Sequence, residues 1–283
     1  MMRDDERASA SRYLPLRETP EESVPLLRGP DIVTEGYYEL ESLERQAALE
    51  AMRQHPTPVA LWYRALTLYY RGITGQFDFS DVADDTTWLL VRNLQAQLLG
   101  LGISSAKSSL DALLVGYYSV AFAAIRHMIE SIVLFHYVNL RPIEALLWYD
   151  EGAPHQPRKT PACRKMIDAL KVASGDDHDQ RMEWERIYGA WDSMSKGTHP
   201  TGEGLYQTVG VVEGKRFVIG PTYDRQLCLI AFDHGLWAVD GLLNRLSKLR
   251  VMDVEWQSGR ALLKDSIARC REDWHAEQRP TAV

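Results

Sequence analysis

Residues 106–139 read AKSSLDALLVGYYSVAFAAIRHMIESIVLFHYVN, and this stretch decides the fold. From Ala112 to Ile125 it is apolar almost without interruption. It contains no proline, and its one glycine is Gly116. Its length and composition predict one long helix, apolar nearly all round, of the kind that forms the buried centre of a domain. Its second half carries Arg126, His127 and Glu130. Burying ionised groups costs on the order of several kcal/mol unless they are paired. Arg126 and Glu130 are four residues apart and share a helix face, so they are expected to be buried and paired with each other. His127 falls on a neighbouring face.

The flanking sequence is also helical in pattern. Upstream, an apolar face of Tyr37, Leu40, Leu43, Ala47 and Met52 predicts a helix that begins near Asp31 and stops at His55-Pro56-Thr57-Pro58. A second helix, from about Val59 to Tyr70, is strongly aromatic (Trp62, Tyr63, Tyr69, Tyr70) and suits a core, a dimer face or a base-stacking surface. A loop at 72–85 offers Asp84 or Asp85 as the cap of a helix from Thr86 to Leu99, which should end at Gly100-Leu101-Gly102. Downstream of Arg141-Pro142 come a short helix at 143–149, a proline-rich loop to Pro161, and helices at 162–173 and 179–196. Gly197 is placed to cap the last of these. Leu205 to Val212 and Arg216 to Ile219 flank Glu213-Gly214-Lys215 and read as a β-hairpin. Helices at 223–250 and 257–274 complete the chain.

The expected fold is therefore mainly α: a multi-helix bundle around a long central helix, with one β-hairpin insertion at about 205–219. Residues 1–30, with Pro15, Pro20, Pro25 and Pro30, read as a disordered arm. Residues 31–275 read as a single domain and 276–283 as a tail. The 283 residues are 45% hydrophobic and 25% charged, with a net charge of -7, which argues against wholesale coating of nucleic acid. Three widely spaced cysteines, Cys163, Cys228 and Cys270, fit reduced thiols. The first residues lack the apolar segment of a signal peptide. The run from Ala112 to Ile125 is shorter than the roughly 20 residues of a membrane span. A soluble, cytoplasmic protein without a membrane partner is expected.

Three polar groups could carry chemistry. The first is Arg126, His127 and Glu130. The second is Tyr188, Asp192, Ser195 and His199, which share one stripe if helix geometry reaches His199. A histidine there suits general acid–base work or a phosphate contact. The third is Asp233-His234 with Asp240 on the long helix near the C-terminus. Between Arg158 and Lys171 basic residues exceed acidic ones by four, which makes this the most basic stretch. The chain has no Walker loop, dinucleotide glycine fingerprint, zincin helix or nucleophile elbow, and its Cys and His spacings do not form a zinc site. No cofactor or metal is expected.

An apolar helix with an Arg-x-x-x-Glu pair, followed by a helix bearing Tyr, Ser and then His just past its end, resembles the bacterial all-helical HEPN-type bundles. Here these residues are Arg126, Glu130, Tyr188, Ser195 and His199, and the resemblance covers about Ala106 to Gly202. Many such bundles act in RNA cleavage, toxin–antitoxin systems and phage defence. The resemblance implies an effector acting on RNA or nucleotides, with Arg126, Glu130, Tyr188 and His199 as site residues. The catalytic HEPN pattern is an arginine, then about four to six residues, then a histidine, within one helix. In this chain Arg269 and His275 meet that spacing, as expected by chance, so a site would join Arg126 and His199 from separate elements. The rival expectation is a non-catalytic helical scaffold that binds a protein partner. The aromatic helix and the hairpin edge predict a homodimer.

Overall fold

The computed structural model describes residues 31–75, 77–82, 84–144, 162–198, 209–212, 216–219, 221 and 223–277. The expected N-terminal arm, the short helix beyond Glu144, the proline-rich loop, His199 and the tail beyond Glu277 lie outside them. The chain divides into a unit of residues 1–42 and a unit of residues 43–283. The first described helix, α1 (Asp31–Gln54), begins in the former and ends in the latter. All the remaining described elements belong to the second unit.

Pro56 ends α1 and opens α2 (Pro56–Ile73) at its first turn, where a missing N–H costs nothing. The aromatic residues of α2 divide between inside and outside. Trp62 and Tyr69 are fully buried, and their polar ends donate to the carbonyls of Ala106 (3.2 Å) and Leu99 (2.7 Å). Tyr63 and Tyr70 are exposed. A continuous stacking surface of all four rings is therefore not formed, because helical spacing turns half of them into the core.

Asp85 caps α3 (Thr86–Leu114), accepting from the amides of Thr87 and Trp88. The expected end at Gly100-Leu101-Gly102 does not occur, and α3 continues for three further turns. Gly102 is where α3 comes close to the Tyr69 hydroxyl and Leu242, so packing there outweighs glycine's poor helix propensity. The break falls instead at Gly116, whose φ is +84°. The predicted single central helix is thus two helices, α3 and α4 (Tyr118–Leu140). The left-handed backbone at Gly116 ends the first of them.

The two helices run antiparallel. Ser109 Oγ donates to the Ala121 carbonyl near the turn, and Gln95 Nε2 donates to the Phe135 carbonyl far from it. α4 is long and apolar enough to match a membrane span by length and composition. In this fold it packs against α3 and against core supplied by α5 (Cys163–Ala173), α6 (His178–Thr198) and α7 (Arg225–Leu249). Asp224 caps α7 by accepting from the Leu227 amide. Asp253 accepts from the Trp256 amide at the start of α8 (Val254–Glu277), and Trp256 Nε1 donates to the Leu68 carbonyl on α2. Two four-residue strands, β1 (Val209–Val212) and β2 (Arg216–Ile219), pair antiparallel with Val209 opposite Ile219. The residues between them, and 205–208 before them, lie outside the described set. Helix dominates, as the periodicity predicts.

Arg245 of α7 is buried among these helices. Its Nε donates to His136 Nε2 at 3.1 Å and its Nη1 to the Gly241 carbonyl at 3.0 Å. His136 is therefore a neutral acceptor. Burial first, then the charges of Arg245 and Lys248, push its pKa down to about 3.

A Cβ at Gly235 would overlap the buried Trp62 ring, whereas one at Gly100 meets nothing. Gly235→Ala should cost about 1–3 kcal/mol, and Gly100→Ala should stabilise by about 0.5–1 kcal/mol, both read from urea unfolding. For His136, the folded state binds its proton only near pH 3, whereas the unfolded chain binds it near 6.5. Its contribution is complete above pH 6.5 and is lost as pH falls toward 3. His136→Gln keeps an acceptor that does not titrate, so its stability should fall less steeply than the wild type's over that window.

Candidate functional site

Arg126 and Glu130 lie one turn apart on α4, and their side chains meet as expected, with Arg126 Nε donating to Glu130 Oε1 at 2.9 Å. The expected burial is not found. The two side chains are 27% and 31% exposed, because the described residues leave this side of α4 partly uncovered. The same Oε1 accepts from Trp191 Nε1 of α6, also at 2.9 Å. The Arg126 guanidinium lies over the Trp191 ring, 5.3 Å from its centroid. Arg126 is therefore fixed by one carboxylate oxygen and one indole face, which together leave its Nη donors without a hydrogen-bond partner among the described residues.

Arg126 and Glu130 stand on the wall of a cleft of about 420 Å³. α4 supplies Arg126, His127 and Glu130; α3 supplies Ser105 and Leu101; Cys163, at the start of α5, lies opposite. His127, expected on a neighbouring face, lines the same cleft and is exposed. Adjacent positions on a helix point about 100° apart, and a cleft wide enough to span that angle takes in both. The cleft thus combines an anchored arginine, an exposed imidazole and a carboxylate. Cys163 is a poor nucleophile there, because burial first, and Glu130 next, push its thiol up to about 12.

The second predicted group is only partly assembled. Tyr188 stacks toward Trp191, with ring centroids 6.1 Å apart, but does not line the cleft. Arg164 and Lys171 of α5 lie over its ring at 5.8 and 5.3 Å. Lys171 also pairs with Glu185, at 2.7 Å. Arg164, Lys171 and Tyr188 therefore form one cationic–aromatic surface beside Trp191. Asp192 pairs with Lys196 along the helix, and Ser195 donates back to the Trp191 carbonyl, so neither extends a catalytic stripe. Gly197 does not cap α6, which runs on through it to Thr198. His199 is the next residue and lies outside the described set. In the third group, Asp233 is held by Arg271 and His234 is kept neutral by burial. Asp240 belongs to a separate cavity. No protein-family model matches the chain, and neither curated proteins nor solved structures give a match.

Trp191 is a site residue that sequence reasoning did not single out. Its spacing within α6 fits a packing position, and nothing local distinguishes an indole that bonds a carboxylate 61 residues away. Half-exposed ion pairs contribute about 0.2–1 kcal/mol, and a cation–π contact adds about 0.5–1 kcal/mol. Arg126→Ala should therefore cost about 1–2 kcal/mol in urea unfolding, not the roughly 3–5 kcal/mol of a broken buried pair. Trp191→Phe should keep the ring contact and lose only the indole bond.

Proposed function

We propose that the cleft binds RNA or a nucleotide, that Arg126 is its phosphate contact, and that the protein is an HEPN-like effector of the kind used in phage defence. One observation carries the reading. Arg126 is held through its Nε by Glu130 and through its face by Trp191, while its Nη donors, on the cleft wall, have no hydrogen-bond partner among the described residues. An arginine held in this way is preorganised for a phosphate oxygen. The cationic–aromatic surface of Tyr188, Arg164 and Lys171 beside Trp191 suits a single-stranded backbone with an unstacked base. His127 is the imidazole on the cleft wall, and the first candidate for moving a proton to or from a ribose hydroxyl. His199, one residue past α6, is the second, in the role the family resemblance gives it. Three free, buried cysteines fit the reducing cytoplasm.

The rival reading is a non-catalytic interaction protein, homodimeric through α2. It is favoured by Tyr63 and Tyr70, 42% and 62% exposed on that helix. The two readings part in one experiment. Fluorescence anisotropy with a labelled single-stranded oligoribonucleotide, run beside a cleavage assay, is measured for wild type, Arg126→Gln, His127→Ala and His199→Ala. On the proposed reading Arg126→Gln weakens binding by about tenfold or more. One histidine variant then binds normally and does not cleave. Equal RNA binding by wild type and Arg126→Gln would overturn the phosphate role. Dimer dissociation by Tyr70→Glu, with no RNA binding by any form, would establish the scaffold instead.

A further inference from the structure

The cleft that holds Arg126 changes character along its length. The bonds from Ser109 to Ala121 and from Gln95 to Phe135 lay α3 and α4 side by side in opposite directions. This register brings Ser105 toward the Arg126 end of the cleft and Leu98 toward the Leu134 end. Arg126, Glu130 and Leu134 are one helical turn apart on α4 and line the cleft in that order. The Leu134 end is apolar, lined also by Leu98 and Leu101 of α3 and Met166 of α5. Leu101 is 62% exposed and Leu134 is partly exposed, so both offer carbon surface to a molecule in the cleft.

Between the two ends lies an acceptor. Glu130 uses Oε1 for both Arg126 and Trp191, and its Oε2 has no hydrogen-bond partner among the described residues. The buried side-chain atoms without a partner, among the described residues, are Asp240 Oδ1 and Arg260 Nε, both outside the cleft. Glu130 Oε2 and the Arg126 Nη atoms therefore keep accessible surface. An ionised carboxylate oxygen accepts from N–H or O–H groups and repels a second anion. Along α4 the order is thus cation, open acceptor, apolar wall. Arg126 and Leu134 are separated by about 12 Å along the helix, at roughly 1.5 Å per residue. That is the reach of one nucleotide, whose parts follow the same order: phosphate, ribose hydroxyls, base.

We infer, resting on the phosphate role proposed for Arg126, that the cleft seats one unpaired ribonucleotide in a fixed direction. Its phosphate meets Arg126, a ribose hydroxyl donates to Glu130 Oε2, and its base lies against Leu101 and Leu134. The hydroxyl contact favours ribose over a sugar without hydroxyls. The apolar end carries no hydrogen-bonding side chain among the lining residues, so the base is held by its face and not read at its edge. Every base is accepted, and a base already paired in a duplex is not.

The test is calorimetry on the full chain with AMP as the probe. Ribose 5-phosphate lacks the base, 2′,3′-dideoxy-AMP lacks the hydroxyls, and octyl phosphate has apolar carbon but neither. AMP should bind tighter than ribose 5-phosphate by about tenfold and tighter than 2′,3′-dideoxy-AMP by about tenfold. Octyl phosphate should bind more weakly than AMP. Leu101→Ser should weaken AMP by about fivefold and leave ribose 5-phosphate unchanged. Leu101 is exposed, so this variant folds normally. Arg126→Gln should weaken both ligands alike. The base seat is overturned if AMP and ribose 5-phosphate bind equally, or if Leu101→Ser leaves AMP unchanged. Equal binding of 2′,3′-dideoxy-AMP overturns the hydroxyl contact, and octyl phosphate binding as tightly as AMP overturns the nucleotide seat. In each of these cases a loss on Arg126→Gln leaves the phosphate role standing. If AMP does not bind while the labelled oligoribonucleotide does, the single-nucleotide seat fails alone. If no ligand depends on Arg126, the phosphate role fails and the inference with it.

Discussion

The rest of the structure depends on the chain reversal at Gly116. Its φ of +84° is a conformation that side chains other than glycine's adopt at a cost, and it stops a run of apolar residues that would otherwise continue as one rod. The reversal lays α4 back along α3 and buries the apolar faces of both. The hydrogen bonds from Ser109 to Ala121 and from Gln95 to Phe135 hold the pair in register at both ends. With α3 on one side and α7 on another, the described residues leave a limited arc of α4 uncovered. Arg126, His127 and Glu130 occupy that arc, so a backbone constraint upstream of them decides which polar groups reach solvent.

A single oxygen, Glu130 Oε1, then organises the exposed arc. It receives Arg126 from its own helix and Trp191 from α6, and so ties the central helix to the element that carries Tyr188. The same central helix contributes Ile132 to the separate cavity that Asp240 lines, whose polar walls come from α6, α7 and α8. The cleft and the cavity differ in character. In the cleft, an arginine is tethered through its Nε, and its Nη donors have no partner among the described residues. Beside the cavity, Asp240 Oδ1 and Arg260 Nε are buried and have no hydrogen-bond partner among the described residues.

Much of the helical framework could be read from the sequence. The cap at Asp85 sits where short acidic residues precede apolar periodicity, and Pro56 marks the junction of α1 and α2 by chemistry alone, whereas the Asp224 cap was not singled out. The glycines could not be ranked in that way. Gly100, Gly102 and Gly116 look alike in sequence, yet only Gly116 breaks the helix, because packing against Tyr69 and Leu242 holds the helix together through Gly102. The Arg126–Glu130 pair was legible because it needs only helix geometry. Its exposure was not, because an all-apolar helix does not reveal which face its neighbours leave open. Trp191 and the Asp240–Arg260 cavity depend on residues brought together from distant helices, and no local pattern encodes such a meeting.

The central claim is that the donors of Arg126 left free by Glu130 and Trp191 receive phosphate. Nuclear magnetic resonance reads this most directly, through the arginine Nε–H and histidine ring signals during titration with a short single-stranded oligoribonucleotide. The account predicts that the Arg126 and His127 signals move together and saturably, while those of Arg245, buried with its donors engaged, stay in place. Saturable binding that moves other arginines and leaves Arg126 and His127 unchanged would contradict it.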